Sequence, residues 1–285
     1  MQFFKKDKDR LVCLLCSYYC KLKENQVGIC GVNKNIGKEI ECLVYGHISA
    51  INIDPIEKKP LYHFLPQSKS LSLGTVGCNF KCSYCQNHGI SQEKNIDKSK
   101  YLSPKEVVSL ALKHKCKSIS YTYNEPTIFY PYAKDIAIEA KKYGIKNVYV
   151  SNGFESSEVI NDMKGIIDAV NIDLKCFDEK YYKSNLGENL NQVLQNLKHF
   201  KRNGIWLEVT TLLVPTKNDS KEQITKIAKF IKEEVDEFTP WHISSFHPDY
   251  KDMNLPNTSF EALKAAHEIG KNAGLRYVYI GNTNL

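Results

Sequence analysis

The sequence predicts an α/β fold in which strand–helix units repeat along a parallel sheet, as in a complete or partial barrel, behind a small N-terminal lobe. Three observations predict it. Strand-like and helix-like segments alternate beyond residue 68. A basic last helical turn, a glycine suited to the left-handed C′ position and a β-branched or aromatic strand recur together at 142–150, 202–209 and 272–280. Helix starts read as capping boxes at Ser103–Glu106, with Pro104 at the first helical position, at Ser220–Gln223 and at Thr258–Glu261.

Taken in order, residues 1–67 form a lobe of their own. They hold Cys13, Cys16, Cys20 and Cys30, then a hairpin-like stretch around Cys42 to Ile53, and Pro55, Pro60 and Pro66 break the run. So short a segment buries too little to stand without a metal or the larger domain. Residues 68–285 carry strands expected at 70–74, 117–122, 146–150, 169–174, 205–212, 241–245 and 276–280. Helices between them make six or seven βα units, and 285 residues suit one such barrel.

Composition narrows the function classes. No run of apolar residues reaches the length of a membrane helix, and the start, Met1 to Lys8, turns polar after two aromatics. A cytoplasmic protein is expected. The formal charge is +7, but 36 of the 39 basic residues are lysines interleaved with acids on helix faces. A lysine bias explains that better than a nucleic-acid surface. Ten cysteines in a reducing compartment point to metal or redox chemistry. Cys42, Cys116 and Cys176 stand alone and read as packing residues.

The remaining cysteines fall into two clusters. Cys78, Cys82 and Cys85 have Cx3Cx2C spacing and follow the first barrel strand, so their loop lies at the strand's carboxyl end, where barrel active sites sit. Three thiolates can hold three corners of a 4Fe–4S cube and leave the fourth iron open for catalysis. A zinc site completed by His88 is the alternative. Cys13, Cys16, Cys20 and Cys30 supply four thiolates, which suit a closed tetrahedral zinc site or a second 4Fe–4S cluster equally in ligand count.

With Tyr84 before its last cysteine, the Cys78–Cys85 loop resembles that of the radical S-adenosylmethionine (SAM) superfamily. The resemblance implies a 4Fe–4S cluster that binds SAM and, on reduction, splits it to a 5′-deoxyadenosyl radical that abstracts hydrogen. It further implies that residues at later strand ends hold SAM. Glu125 stands where relatives bind the SAM amino group, Lys175 would meet its carboxylate, and Asp173 its ribose or a cation. Asn152 and His247 complete the set, His247 matching a histidine near SAM in glycyl-radical activating enzymes. Each has a plainer reading: Glu125 as a helix cap, Asp173 and Lys175 as an ion pair, Asn152 and His247 as turn residues.

Further stretches resemble one branch, the radical SAM enzymes of the AmmeMemoRadiSam system, similar to pyruvate formate-lyase activating enzymes. They are Cys13–Cys16 through Cys30, Asp54–His63, Gly74–Cys78, Asn171–Lys175 and Trp241–Tyr250. That branch implies a partial (β/α)6 barrel and company with Memo-like and AMMECR-like proteins. The reductant would be a flavodoxin or a ferredoxin, and the substrate a protein; a small molecule, a lipid or RNA is the alternative. A non-catalytic iron–sulfur electron carrier is disfavoured, since it would complete all four ligands. Relatives carry an acid before their Thr-Asn-Gly where this chain has Ser151, and Gly rather than Asn124 before Glu125. They commonly continue into another cysteine-bearing segment, whereas this sequence ends at Leu285, which would affect full activity.

Overall fold

The computed structural model describes residues 2–187 and 189–283. Three short antiparallel strands open the chain, β1 (Phe4–Asp7), β2 (Arg10–Cys13) and β3 (Lys21–Leu22), followed by the hairpin pair β4 (Asn33–Asn35) and β5 (Ile40–Cys42). The rest builds one eight-stranded sheet: β6 (Ala50–Pro55), β7 (Lys69–Gly74), β8 (Ser118–Tyr121), β9 (Lys146–Ser151), β10 (Ala169–Asp173), β11 (Trp206–Leu213), β12 (Trp241–Ser245) and β13 (Val278–Gly281). These strands neighbour one another in chain order. β7 to β13 are all parallel, and β6 pairs antiparallel with β7 at the edge.

After the short α1 (His88–Ser91), one principal helix covers each crossover: α2 (Pro104–Lys113), α3 (Tyr130–Lys141), α4 (Ser157–Met163), then, after the single turn α5 (Glu179–Tyr181), α6 (Leu190–Arg202), α7 (Lys221–Phe230) and α8 (Phe260–Asn272). Six strand–helix steps and a last strand make a partial (β/α)6 barrel, within the complete or partial barrel that the alternation predicts and as the family resemblance implies. All seven expected strands form, with shifts of a residue or two at their ends. The capping box at Ser103 is complete, with Glu106 bonding back to the Ser103 amide. The helix near 260 starts one residue later than expected, at Ser259, because the Thr258 hydroxyl is occupied with Leu213 and Phe246.

The expected hairpin around Cys42 to Ile53 does not form. β5 instead turns back on β4, and Ala50–Pro55 joins the large sheet as β6. That strand lies within the segment assigned above to the N-terminal lobe. The sheet edge beside β7 offers six residues of register, far more than a local pairing would.

Alternation along each strand separates the two faces. Leu71, Leu73, Ile119, Val170, Ile172, Leu207, Val209 and Ile243 pack under the helices in one apolar core. Their alternates, among them Ser72, Ser120, Asn171, Glu208, Thr210 and His242, are buried on the inner face. Barrel interiors are ordinarily filled by branched apolar residues. A polar lumen is therefore a feature to be explained by function.

The N-terminal lobe is stitched to the barrel at the loop after β9. Ser17 donates its amide to Phe154, and the buried Ser156 hydroxyl donates to the Leu14 carbonyl at 2.5 Å while capping α4 at Val159. We expect Ser156→Ala to lower stability by about 1–3 kcal/mol, since a cap and a buried hydrogen bond go together. Denaturant melts would check this; a change below the scatter of the measurement would mean that the lobe docks by other contacts.

Candidate active site

The loop 75–87 leaves β7 at the sheet's carboxyl end and places Cys78, Cys82 and Cys85 there. Gly77 permits it: its φ is +90°, and a Cβ would lie 2.7 Å from the Cys30 carbonyl oxygen. The Phe80 amide donates to Cys78 Sγ at 3.4 Å, and Cys85 Sγ lies 3.1 Å from Ser91 Oγ. Burial pushes the Cys82 thiol up to about 11, against the pull of the neighbouring Lys175 ammonium. Burial and the adjacent Glu125 also drive the Cys78 thiol well above its ordinary value. A cationic cluster would reverse that preference, since bound metal takes thiolates.

Asn124, where relatives carry Gly, clamps this loop. Its Nδ2 donates to the Gly77 carbonyl at 2.8 Å and to Thr75 Oγ1 at 3.1 Å, while its Oδ1 accepts the Thr75 amide at 3.1 Å. The next residue, Glu125, is buried and accepts from the Thr127 amide at 3.0 Å, the Asn152 amide at 2.8 Å and Ser151 Oγ at 2.9 Å. The helix-cap reading of Glu125 is thus fulfilled. Ser151 Oγ also lies 3.1 Å from the second oxygen, so the carboxylate is held from both sides. Burial, outweighing these donors, raises its pKa.

Glu155, which sequence reasoning missed, reaches the same point. Its Oε1 is 2.5 Å from Ser151 Oγ, its Oε2 is buried without a partner among the described residues, and burial with Glu125's charge pushes it up to about 8. One hydroxyl proton cannot serve two carboxylates. The consistent arrangement has protonated Glu155 donating to Ser151, and Ser151 donating to ionised Glu125. The position before Ser151-Asn152-Gly153, where relatives carry an acid, holds Val150, and a carboxyl reaches Ser151 instead from four residues downstream.

Asn152 Nδ2 donates to Asn79 Oδ1 at 2.7 Å, tying the loop after β9 to the thiol loop. Gly153 allows the turn at φ +78°, where a Cβ would lie 2.7 Å from Ile172. Asp173 and Lys175 form an ion pair at 2.8 Å. Burial disfavours the Lys175 charge, but Asp173 and Cys82 outweigh it and raise its pKa. Tyr84 is buried in the core, with the Lys217 ammonium 5.7 Å from its ring centroid.

His247 is exposed, and its Nδ1 lies 3.4 Å from the Pro248 carbonyl oxygen. The residues after it are those that meet the thiol loop. Tyr250 stacks on His88 with centroids 4.8 Å apart, the Lys251 amide donates to the Ser83 carbonyl at 2.9 Å, and Asp252 accepts from Ser83 Oγ at 2.7 Å. His88 thus packs in this docking contact, with its Nδ1 3.4 Å from Asp249.

In the lobe, Cys13, Cys16 and Cys30 are buried and Cys20 is half-buried. A Cβ on Gly28 would stand 3.8 Å from both Cys20 Sγ and Cys30 Sγ. Cys42, read above as a packing residue, lies near Cys30 and Cys13, and burial pushes its thiol up to about 12. Cys116 and Cys176 are buried as expected. Among the described residues no three Cys, His, Asp or Glu side chains close on a single-ion position. No helix among them is long and apolar enough to cross a membrane.

Fold and site together define a class: a partial parallel barrel whose first parallel strand feeds a three-thiol loop at the carboxyl face. The sequence model of the Radical SAM superfamily matches residues 72–231. An uncharacterized protein of Methanocaldococcus jannaschii is 40% identical over 284 residues, covering 99% of this chain and 84% of its own. The pyruvate formate-lyase-activating enzyme of Clostridium pasteurianum is 27% identical over 189 residues, 63% of this chain and 77% of that one. In fold, a radical SAM methyltransferase from Sphaerobacter thermophilus superposes with a TM-score of 0.60 at 13% identity, over 78% of this chain and 68% of that one. The chain belongs to the radical SAM superfamily, whose members use a 4Fe–4S cluster and SAM, and it is similar to the activating enzymes within it.

Proposed function

We propose that this protein is an activating-enzyme-like radical SAM oxidoreductase that abstracts hydrogen from a protein substrate. The observation that carries the reading is the Cys78–Cys82–Cys85 loop at the carboxyl end of β7, clamped by Asn124 and faced by Glu125 and Lys175. These residues fit the cofactors. Cys78, Cys82 and Cys85 would ligate the 4Fe–4S cluster, whose Lewis-acidic open iron and one-electron chemistry supply the bond cleavage. Glu125 would accept from the SAM ammonium and Lys175 would pair its carboxylate, with Asp173, Asn152, His247 and the Tyr84 segment completing the surround. The buried Glu155–Ser151–Glu125 chain keeps Glu125 ionised by placing the proton on Glu155.

Cys13, Cys16, Cys20 and Cys30 would bind zinc or a second 4Fe–4S cluster, drawing the thiols together on loading. A cytoplasmic flavodoxin or ferredoxin would supply the electron. Memo-like and AMMECR-like proteins are the company that the sequence resemblance points to. A protein substrate is favoured by the likeness to a pyruvate formate-lyase-activating enzyme.

The test is anaerobic loading with iron and sulfide, addition of dithionite and SAM, and quantification of 5′-deoxyadenosine. Formation is expected. A fully loaded cluster that leaves SAM intact would count against the reading. We further expect Asn124→Gly to load iron yet give an altered cluster EPR spectrum and slower 5′-deoxyadenosine formation, because the Gly77 carbonyl loses its tether; an unchanged spectrum and rate would show that the clamp is dispensable.

A further inference from the structure

The stretch Pro60–His63 is held inside the amino-terminal mouth of the barrel by groups of the lumen wall. Asn171 Nδ2 donates to the Pro60 carbonyl at 2.7 Å, and Glu208 accepts the amides of Tyr62 and His63 at 3.0 and 2.9 Å. Leu61 is fully buried with Val148 and Ala169 on the lumen side of β9 and β10. From this anchor the Tyr62 side chain runs up the lumen. Its ring stands edge-on to His242 with centroids 4.6 Å apart and is tilted against Tyr279 at 5.0 Å.

The Tyr62 hydroxyl ends 3.7 Å from the point where a Cβ on Gly281 would stand, and Ser244 Oγ is 3.8 Å from the same point. Gly281 is the last residue of β13 and Ser244 lies near the end of β12, so the phenol reaches the face that carries the thiol loop. Among the described residues no side chain hydrogen-bonds that hydroxyl. A phenylalanine would make every ring contact, so packing alone does not account for it.

A run of oxidisable rings leads from Tyr62 to the opposite face. Tyr279, beside it, shares a 2.7 Å hydrogen bond between its hydroxyl and His63 Nε2. The His63 ring lies 4.4 Å from that of Tyr277 and 6.4 Å from that of Trp206. Tyr277 and Trp206 flank the amino-terminal ends of β13 and β11 and are 37% and 40% exposed.

We propose that Tyr62 donates a hydrogen atom to carbon-centred radicals formed at the carboxyl face, and that Tyr279, Tyr277 and Trp206 carry the electron that restores it. The inference rests on the radical chemistry proposed above. In the step the phenolic O–H bond breaks homolytically, a C–H bond forms on the radical, and a neutral phenoxyl remains on Tyr62. One electron from an external low-potential donor, reduced flavodoxin or ferredoxin in the cell and dithionite in vitro, enters through the exposed rings. A proton from solvent then completes the phenol. The direction is downhill because a phenolic O–H bond is weaker than an alkyl C–H bond, and burial keeps the Tyr62 phenol protonated.

The loaded protein is incubated in heavy water with SAM and dithionite and no added substrate, and deuterium in 5′-deoxyadenosine is read by mass spectrometry. The wild type is expected to place deuterium in the product, and Tyr62→Phe to lose that label per molecule formed. An equal label in Tyr62→Phe overturns the proposal. Absence of 5′-deoxyadenosine from the wild type would instead sink the radical reading, and this inference with it. A second measurement needs no cluster: the metal-free protein is photo-oxidised with a ruthenium tris-bipyridine sensitiser and its tyrosyl EPR signal recorded. Lower signal in both Tyr62→Phe and Tyr279→Phe supports the relay; equal signal in both overturns it.

Discussion

Cys82→Ala is expected to abolish both cluster assembly and 5′-deoxyadenosine formation while leaving the protein folded. Cys82 is buried beside Lys175, whose charge opposes the rise that burial imposes on its thiol. Loss of that thiolate would leave two of the three proposed ligands for a cube that needs three. The fold should survive, because removing one small buried sulfur costs about 1 kcal/mol, the common size of a point-mutation effect. Iron and sulfide analysis with circular dichroism separates the two effects. Cys116→Ala, at the foot of β8 and far from the loop, is the control expected to load fully. A Cys82→Ala protein with a full complement of iron would overturn the ligand assignment.

The second large effect is one of stability. Glu208 is fully buried on β11 and accepts four hydrogen bonds, from the Tyr62 and His63 amides, from Trp206 Nε1 at 3.0 Å and from His242 Nε2 at 2.6 Å. Glu208→Ala strands all four donors, and breaking such a buried network by removing one partner costs about 3–5 kcal/mol. We therefore expect a large fall in denaturation midpoint, with Glu208→Gln intermediate because its single carbonyl keeps some of the bonds. Burial by itself would raise the Glu208 pKa, but His242 and the amide donors outweigh it and hold it below the usual 4.5. A depressed folded pKa contributes stability above the unfolded value, and this contribution is lost as pH falls through the folded one. The wild type should thus lose more stability on acidification below about pH 4.5 than Glu208→Gln does. Parallel pH profiles for the two proteins would show that the network is not anchored by an ionised carboxylate.

Much of the site was legible before any coordinates because its signals are local. Cx3Cx2C directly after a strand places three thiols on one loop, and the polar endings Asn124-Glu125, Ser151-Asn152 and Asp173-Leu174-Lys175 fall at strand termini by position alone. Glu155 was not legible, since it looks like an ordinary acid ahead of a helix. Only the turn at Gly153 brings it back onto Ser151. How the loop that carries His247 docks was not legible either. The loop docks through Tyr250, Lys251 and Asp252 and leaves His247 exposed.

The aromatic and charged residues of the lumen show most clearly where sequence stops. Tyr62, Glu208, His242 and Tyr279 lie on four separate segments, and no spacing rule connects them. By itself the sequence determined the seven parallel strands, the helices between them and the thiol loop, because hydrophobic alternation, capping and turn chemistry act over a few residues. Tertiary structure alone decided which inner-face residues meet. Register pairs Thr210 with His242 and His242 with Tyr279, and the plug at Pro60–His63 finds its partners only once β10, β11 and β13 surround it. Contacts across closed strands depend on every crossover before them, and that is information no local window contains.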